Sequence, residues 1–276
     1  MKSTLAGKVA LVTGSGRGIG RSVALKLASH GARLVVNDLD ADVAVQVAHD
    51  IQSAGGEAVA CPGNVTAPDF AERFVDTAME RFQGVDIIVN NAGYTWDSVI
   101  QKMTDEQWYA IMDCHLTAPF RILRAAQPVI RRLVREETEQ GVEKYRKVVN
   151  ISSIAGLGGN AGQVNYAAAK SGIVGLTKAL SKEWGRLRVN VNAVAFGLID
   201  TRLTEATADT GARVNIEGRE ILVGVNPELK KQMEAQIPLG RAGTPDEAAG
   251  AVYLFCLSES NYISGQVVVC GGGYLL

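Results

Sequence analysis

Val9-Ala10-Leu11-Val12-Thr13-Gly14-Ser15-Gly16-Arg17-Gly18-Ile19-Gly20 is the stretch on which the fold turns. Four apolar residues, too few for a helix, read as a strand buried on both faces. The glycines after them form a turn, and an amphipathic stretch, Ile19–His30, follows at once. Such a turn lets backbone N–H groups approach a pyrophosphate, and the helix N-terminus adds partial positive charge. Glycines alone are a weak signal, because they also make ordinary turns. Strand, turn and helix in this order are specific.

Outward from this unit the pattern repeats. Short apolar runs lie at Arg33–Asn37, Ala58–Cys61, Val85–Val89, Val148–Ile151, Val189–Val194 and Gln266–Val269. Helical stretches separate them, among them Asp42–Ala54, Asp69–Phe82, Thr117–Val134 and Ala167–Trp184. The alternation predicts one α/β domain over residues 1–276: a doubly wound, Rossmann-type parallel sheet of seven strands with helices on both faces. Two stretches break the rhythm. Arg135–Lys147 is crowded with charge and reads as a solvated extension between a helix and the fifth strand. Arg202–Gln236 is longer than any connection the sheet requires. It follows the sixth strand, so it overhangs the carboxyl ends of the strands. It reads as a substrate lid over about residues 202–236, with a small hairpin around Asn215–Val223.

Composition narrows the function classes. The 276 residues are 47% hydrophobic, ample for a buried core. A net charge of -1, from 28 basic and 29 acidic residues, is not the footprint of a nucleic-acid binder. Cys61, Cys114, Cys256 and Cys270 are scattered, show no metal-ligand spacing, and read as free thiols in a reducing compartment. No apolar run approaches the ~20 residues that span a bilayer, and Met1 to Lys8 lacks an apolar leader. The expectation is a cytoplasmic protein with no metal, no nucleic acid and no membrane partner.

Asp38 ends the second strand, about 20 residues beyond the turn, where a carboxylate accepts hydrogen bonds from an adenosine ribose and repels a 2′-phosphate. It reads as selecting NAD over NADP. Two features pull the other way: Asp38 and Asp40 are both suited to capping a helix, and Arg17 can pair with a 2′-phosphate.

At this point the chain resembles the short-chain dehydrogenase/reductase family along almost its whole length. Thr13–Gly20 is similar to TGxxxGIG, and Asn90-Asn91-Ala92-Gly93 to NNAG. Tyr166-Ala167-Ala168-Ala169-Lys170 matches YxxxK, with Ser153 at the usual distance before the tyrosine. Asn192–Thr201 resembles the segment that closes over the nicotinamide. Pro238–Arg241 and Ser264–Gln266 resemble C-terminal motifs. The greatest similarity is to the 3-oxoacyl-[acyl-carrier-protein] reductase group and related 3-hydroxyacyl or secondary-alcohol dehydrogenases. The resemblance implies a dinucleotide held by Gly14, Arg17, Gly18, Ile19, Gly20, Asp38, Leu39, Asn64, Val65, Asn91, Ala92, Gly93, Tyr166, Lys170, Gly197, Ile199 and Thr201. It implies catalysis by Ser153, Tyr166 and Lys170, and a homotetramer or homodimer built on the helices around Thr117–Val134 and Ala167–Trp184. The small residues Ala167–Ala169, Ser171 and Gly172 permit close packing, against a partner or against the chain's own sheet.

The chemistry of the triplet stands beside the resemblance. Tyr166 and Lys170 are four residues apart and share a helix face. A phenol titrates near 10, too high for a good base at neutral pH, and a nearby ammonium is expected to lower it. Tyr166 then exchanges a proton with the reacting oxygen, while Ser153 holds that oxygen. The dinucleotide carries the hydride.

Four positions depart from the family pattern. His115 takes the place of an asparagine that helps hold a water linked to the active-site lysine. It reads either as a relay that donates and accepts, or as a histidine packed against a helix bend before Pro119. Phe196 replaces a frequent proline and reads as a pocket wall or as core. Asn64 replaces an aspartate near the adenine, and Cys270 one before the terminal glycines. The reading is therefore an NAD-linked enzyme interconverting a secondary alcohol and a ketone, a 3-hydroxyacyl/3-oxoacyl thioester first, with NAD tilting it toward oxidation. A steroid, cyclic alcohol or polyol dehydrogenase, and an NAD-binding sensor or scaffold without catalysis, are the alternatives.

Overall fold

Seven strands pair in parallel: β1 (Val9–Val12), β2 (Arg33–Val36), β3 (Glu57–Ala60), β4 (Ile87–Asn90), β5 (Arg146–Ser153), β6 (Val189–Phe196) and β9 (Val267–Cys270). Their order is β3-β2-β1-β4-β5-β6-β9, so the chain reverses direction across the sheet between β1 and β4. That is the switch point at whose carboxyl edge a doubly wound sheet opens a crevice. The computed structural model describes residues 3–202, 204, 212–216, 218–224 and 226–274.

Side chains of each strand alternate between two cores, as a pleat requires. Ala10, Val12, Leu34 and Val36 face helices α1 (Gly18–Ser29), α2 (Ala41–Ser53) and α9 (Pro245–Cys256). Val9, Leu11 and Val35 face α3 (Phe70–Phe82) and α5 (Ala118–Glu139), with Phe70, Phe74, Ile122 and Leu123 at the centre. Phe196 belongs to the first core and is 5% exposed, so it fills core space rather than walling a pocket. Helix α4 (Asp105–Met112) begins on a capping box made by Thr104 and Gln107. A short α6 (Ala155–Gly158) precedes α7 (Val164–Glu183). Of the small residues of α7, two pack within the chain and Ser171 is exposed. Ala169 is fully buried, and a Cβ at Gly172 would meet Leu116 at 2.8 Å.

Past β6, the segment expected to be a lid holds an antiparallel hairpin, β7 (Ala212–Ile216) and β8 (Arg219–Val223), followed by α8 (Pro227–Ala235). The hairpin begins a few residues before its expected position. Residues 203, 205–211, 217 and 225 of the expected 202–236 lid lie outside the described residues.

The charged run Arg135–Lys147 corrects the sequence reading. It is a solvated extension only in part: Arg135, Glu136 and Thr138–Lys144 are exposed, but α5 continues to Glu139 and β5 starts at Arg146. Arg146 and Lys147 are buried, and so is Glu137. The Arg146 guanidinium makes a two-pronged pair with Glu137, at 2.9 and 2.8 Å, and donates through Nε to the Val85 carbonyl at 3.0 Å. Burial alone would raise the Glu137 carboxyl. Arg146, with Lys144 behind it, outweighs that and holds it below its usual value. Lys147 donates to Asn190 and Ser260. Charge density along the chain gave no hint of burial, because each partner comes from another element.

Removing one side of a buried pair strands the other. Glu137→Ala should cost about 3–5 kcal/mol in urea denaturation, and Glu137→Leu with Arg146→Met should recover most of it. The carboxyl is depressed by folding, so the pair's contribution is present above the ordinary carboxylate range and fades as pH falls through the lowered value. A loss below about 1 kcal/mol would place the pair at the solvated surface.

Candidate active site

The site begins at the glycine turn. Helix α1 starts at Gly18 with no acidic residue in its first turn, and no side chain among the described residues caps its leading N–H groups. The turn is pressed onto the segment after β4. A Cβ at Gly14 would lie 2.7 Å from Ala92 Cα, and one at Gly20 would lie 2.0 Å from the Gly14 carbonyl oxygen. Asn91 holds this contact: its Nδ2 donates to the carbonyls of Thr13 at 2.9 Å and Gly14 at 3.0 Å. Thr13 Oγ1 accepts from the N–H groups of Asn91 and Ala92. Asn91, expected as a cofactor ligand, thus engages both Nδ2 hydrogens in shaping the turn.

Asp38 sits at the carboxyl end of β2, its side chain 15% exposed. One oxygen accepts from the Gly16 N–H at 3.1 Å and the other from the Asp40 N–H at 3.1 Å. A Cβ at Gly16 would strike the carboxylate at 2.5 Å. Arg17 reaches past Asp38, at 3.9 Å, to Asp40 at 2.9 Å. Its guanidinium holds the Asp40 carboxyl below the usual range. Leu39 is 45% exposed beside them. Farther out, Asn64 Oδ1 accepts from the Thr66 N–H, while Val65 is buried in the second core. Beyond β6, the Gly197 N–H bonds the Cys270 carbonyl, Ile199 is buried, and the Thr201 methyl stands 3.5 Å from a Cβ built on Gly18. Uncapped helical N–H groups with a carboxylate one strand away suit a pyrophosphate and an adjoining ribose.

Tyr166, Lys170 and Ser153 come together at the carboxyl edge of β5. Lys170 is buried and donates Nζ to the Ile151 carbonyl at 2.7 Å, while Ser152 Oγ donates to the Lys170 carbonyl at 2.8 Å. The Ser153 hydroxyl accepts from the Ala155 N–H at 3.2 Å and lies near enough to the Tyr166 phenol to work against the rise of its pKa. Lys170 Nζ lies 5.6 Å from the centre of the Tyr166 ring. Behind them a buried polar ladder, Asn90 to Asn150 to Thr177, locks β4, β5 and α7 together. The electrostatics differ from expectation. Burial, opposed by Ser153, pushes the phenol up to about 12, and burial pulls Lys170 down to about 8. Desolvation, with Asp97 and Cys114 adding to it, outweighs the opposing effect of Ser153 on the phenol. The site holds a protonated phenol, ready to donate.

His115 lies in a π-helical turn, Asp113–Thr117, ahead of α5. Its ring is buried, edge-on to Tyr166 with centroids 5.1 Å apart. Nε2 is 2.7 Å from the Tyr94 carbonyl and 3.3 Å from the Tyr94 N–H, and the buried Nδ1 has no partner among the described residues. Burial, then the charge of Lys170, hold its pKa well below 6.5. Gly93 makes room for it, since a Cβ there would meet the ring at 2.2 Å.

The sequence reading missed the neighbours on the outer side. Asn165 donates to the carbonyls of Trp96 and Gln107, and its Oδ1 accepts from the Tyr166 N–H. Gln163 donates to Asp97 at 2.7 Å. Arg219 of the hairpin lies over Trp96, 5.8 Å from the ring centre, and pairs with Glu106 at 2.8 Å. Gln163, three residues before Tyr166, was within reach of helical spacing. The others come from loops whose approach no periodicity reveals.

Among known proteins, the short chain dehydrogenase family model matches residues 8–211. The chain is 38% identical over 273 residues to the 3-oxoacyl-[acyl-carrier-protein] reductase of Vibrio cholerae serotype O1, covering 99% of each chain. It is 35% identical over 274 residues to that of Aquifex aeolicus, again over 99% of each. The crystal structure of a putative NAD(P)-dependent gluconate 5-dehydrogenase from Beutenbergia cavernae, with NADP bound at low occupancy, superposes with a TM-score of 0.81 at 27% identity, covering 99% of both chains. The chain belongs to the short-chain dehydrogenase family and is an NAD(P)-dependent oxidoreductase.

Proposed function

We propose that the protein interconverts 3-oxoacyl and 3-hydroxyacyl thioesters with NAD(H). The observation that carries the reading is the convergence of Ser153, Tyr166 and Lys170 beside an uncapped helix terminus. Full-length similarity to 3-oxoacyl-[acyl-carrier-protein] reductases supports the substrate class. Gly18, Ile19 and Gly20 would hold the pyrophosphate, Asp38 the adenosine ribose, and Lys170 the nicotinamide ribose. The dinucleotide supplies the hydride when bound.

Tyr166 delivers its Oη proton to the carbonyl oxygen, and Ser153 Oγ–H donates to the same oxygen as charge builds there. A phenol protonated across the neutral range suits the reductive direction. In the oxidative direction Tyr166 must first lose that proton, and Lys170 is the cation beside it. His115 stays neutral at working pH, and its Nδ1, without a partner among the described residues, serves as an acceptor in the buried space near Lys170. NAD is favoured by two features: Asp38 faces the ribose position, and Arg17, the group able to welcome a 2′-phosphate, is engaged by Asp40.

Reduction of 3-oxobutyryl-N-acetylcysteamine should be visible as loss of NADH absorbance. Tyr166→Phe should lower kcat by about 10³-fold or more with dinucleotide binding retained in a fluorescence titration. In the same assay His115→Ala should lower kcat and His115→Asn restore part of it. Near-normal turnover by Tyr166→Phe would remove the assigned chemistry. The wild-type protein should prefer NADH over NADPH in kcat/KM by about tenfold or more, equivalent to about 1.4 kcal/mol, and Asp38→Ser should narrow that ratio. A wild-type preference for NADPH would overturn the NAD assignment.

A further inference from the structure

Outside the triplet, one carboxylate sits close to Tyr166. Asp97 follows Trp96, whose carbonyl anchors Asn165, the residue next to Tyr166. The backbone of Ser98 is bridged to Gln163, and its N–H donates to the Gly162 carbonyl at 2.9 Å. Gln163 Nε2 donates to Asp97 Oδ2 at 2.7 Å, and Asn160 Nδ2 in turn donates to Gln163 Oε1 at 2.9 Å. The Gln163 amide is therefore fixed from both ends. Gln163 precedes Tyr166 by three residues, just under one helical turn, or roughly 5 Å along the axis. This chain of bonds ties the Asp97 carboxylate to the start of α7, on the N-terminal side of Tyr166 and opposite in sequence to Lys170, where its charge acts on the phenol.

We propose that Asp97 is a specificity-determining residue of this site: its carboxylate, held by Gln163, accepts a hydrogen bond from a donor on the substrate and rejects substrates that carry a carboxylate near the reacting carbon. The inference rests on the reading of Tyr166 as the residue that meets the reacting oxygen. One Asp97 oxygen is taken by Gln163, and a carboxylate has about four lone-pair positions, so acceptor capacity remains. Asp97 keeps solvent access, as a group at the mouth of a substrate path should. The protein around its carboxyl nonetheless raises its pKa, with the Gln163 bond working the other way. Its charge is felt at the Tyr166 phenol.

The surrounding charges leave Asp97 in control of the local sign. From the hairpin, Arg219 is paired with Glu106 of α4 at 2.8 Å. From the π-helical turn, His115 is neutral, and Cys114 is a buried thiol. Farther along α7, Lys170 is buried and turned to the Ile151 carbonyl. A neutral thioester whose arm carries amide N–H groups satisfies Asp97. A free 3-oxoacid brings a second negative charge to it, and that like-charge approach disfavours binding.

Three ketones separate charge from hydrogen bonding: 3-oxobutyryl-N-acetylcysteamine (neutral, with an amide N–H), ethyl acetoacetate (neutral, no donor) and acetoacetate (anionic). The wild-type enzyme should favour ethyl acetoacetate over acetoacetate in kcat/KM. Asp97→Asn, which keeps an acceptor and loses the charge, should shrink that ratio by tenfold or more, mainly through KM for acetoacetate. Asp97→Ala should in addition raise KM for the thioester several-fold relative to ethyl acetoacetate. Unchanged ratios in both variants, or an equal fall in kcat on all three ketones, would overturn the proposal. Wild-type turnover of the ester without the thioester would remove the acyl-thioester reading alone, because the charge arm is read on the ester and the acid.

Discussion

A single buried lysine ties the machinery of this protein together. Lys170 donates its ammonium to the Ile151 carbonyl, while its own backbone carbonyl accepts from Ser152. These two bonds clamp α7 to the carboxyl end of β5 at the level where Ser153 meets Tyr166. Burying an ammonium is costly, and the fall of its pKa to about 8 expresses that cost. A second tie, from Asn150 to Thr177, keeps helix and strand in register deeper in the core. The tyrosine's position is thus inherited from the sheet, not from a loop, as a site needing sub-ångström placement requires.

The same logic governs the glycine turn. Its backbone is held against the segment after β4 by Asn91 and Thr13, and the glycines there are places where a Cβ has no room. Motif residues that look like ligands can therefore be spacers and struts. Asn91 shapes the turn, Val65 fills the core, and Gly93 leaves space for the His115 ring. What remains facing outward is a set of backbone donors and one carboxylate, which is the part a nucleotide meets.

Much of this was legible in the sequence, for identifiable reasons. The inner strands are buried on both faces and the edge strands β3 and β9 only in part, but all seven appear as short apolar runs and were found within a few residues. Tyr166 and Lys170 share a helix face by spacing alone, and Asp38 was located by its distance from the turn. The sequence did not reveal that Glu137 and Arg146 are buried partners, because a pair nine residues apart across a helix end and a strand start leaves no periodic trace. It left open whether Phe196 walls a pocket or fills the core, where it lies. Nor did it foretell the high proton affinity of Tyr166, which depends on how much water packing excludes. Asp97 and Arg219 were invisible for a third reason: their roles come from loop and hairpin approach, which local sequence does not encode.

The central claim is geometric: one substrate oxygen meets the hydroxyls of Ser153 and Tyr166 together. A crystal structure with NAD and a non-reacting 3-hydroxyacyl thioester analogue measures this directly. The account predicts both hydroxyl oxygens at hydrogen-bond distance from the analogue's 3-oxygen, with Lys170 on the nicotinamide ribose. An analogue whose 3-oxygen is bound by other groups, with Tyr166 left facing protein, would contradict it.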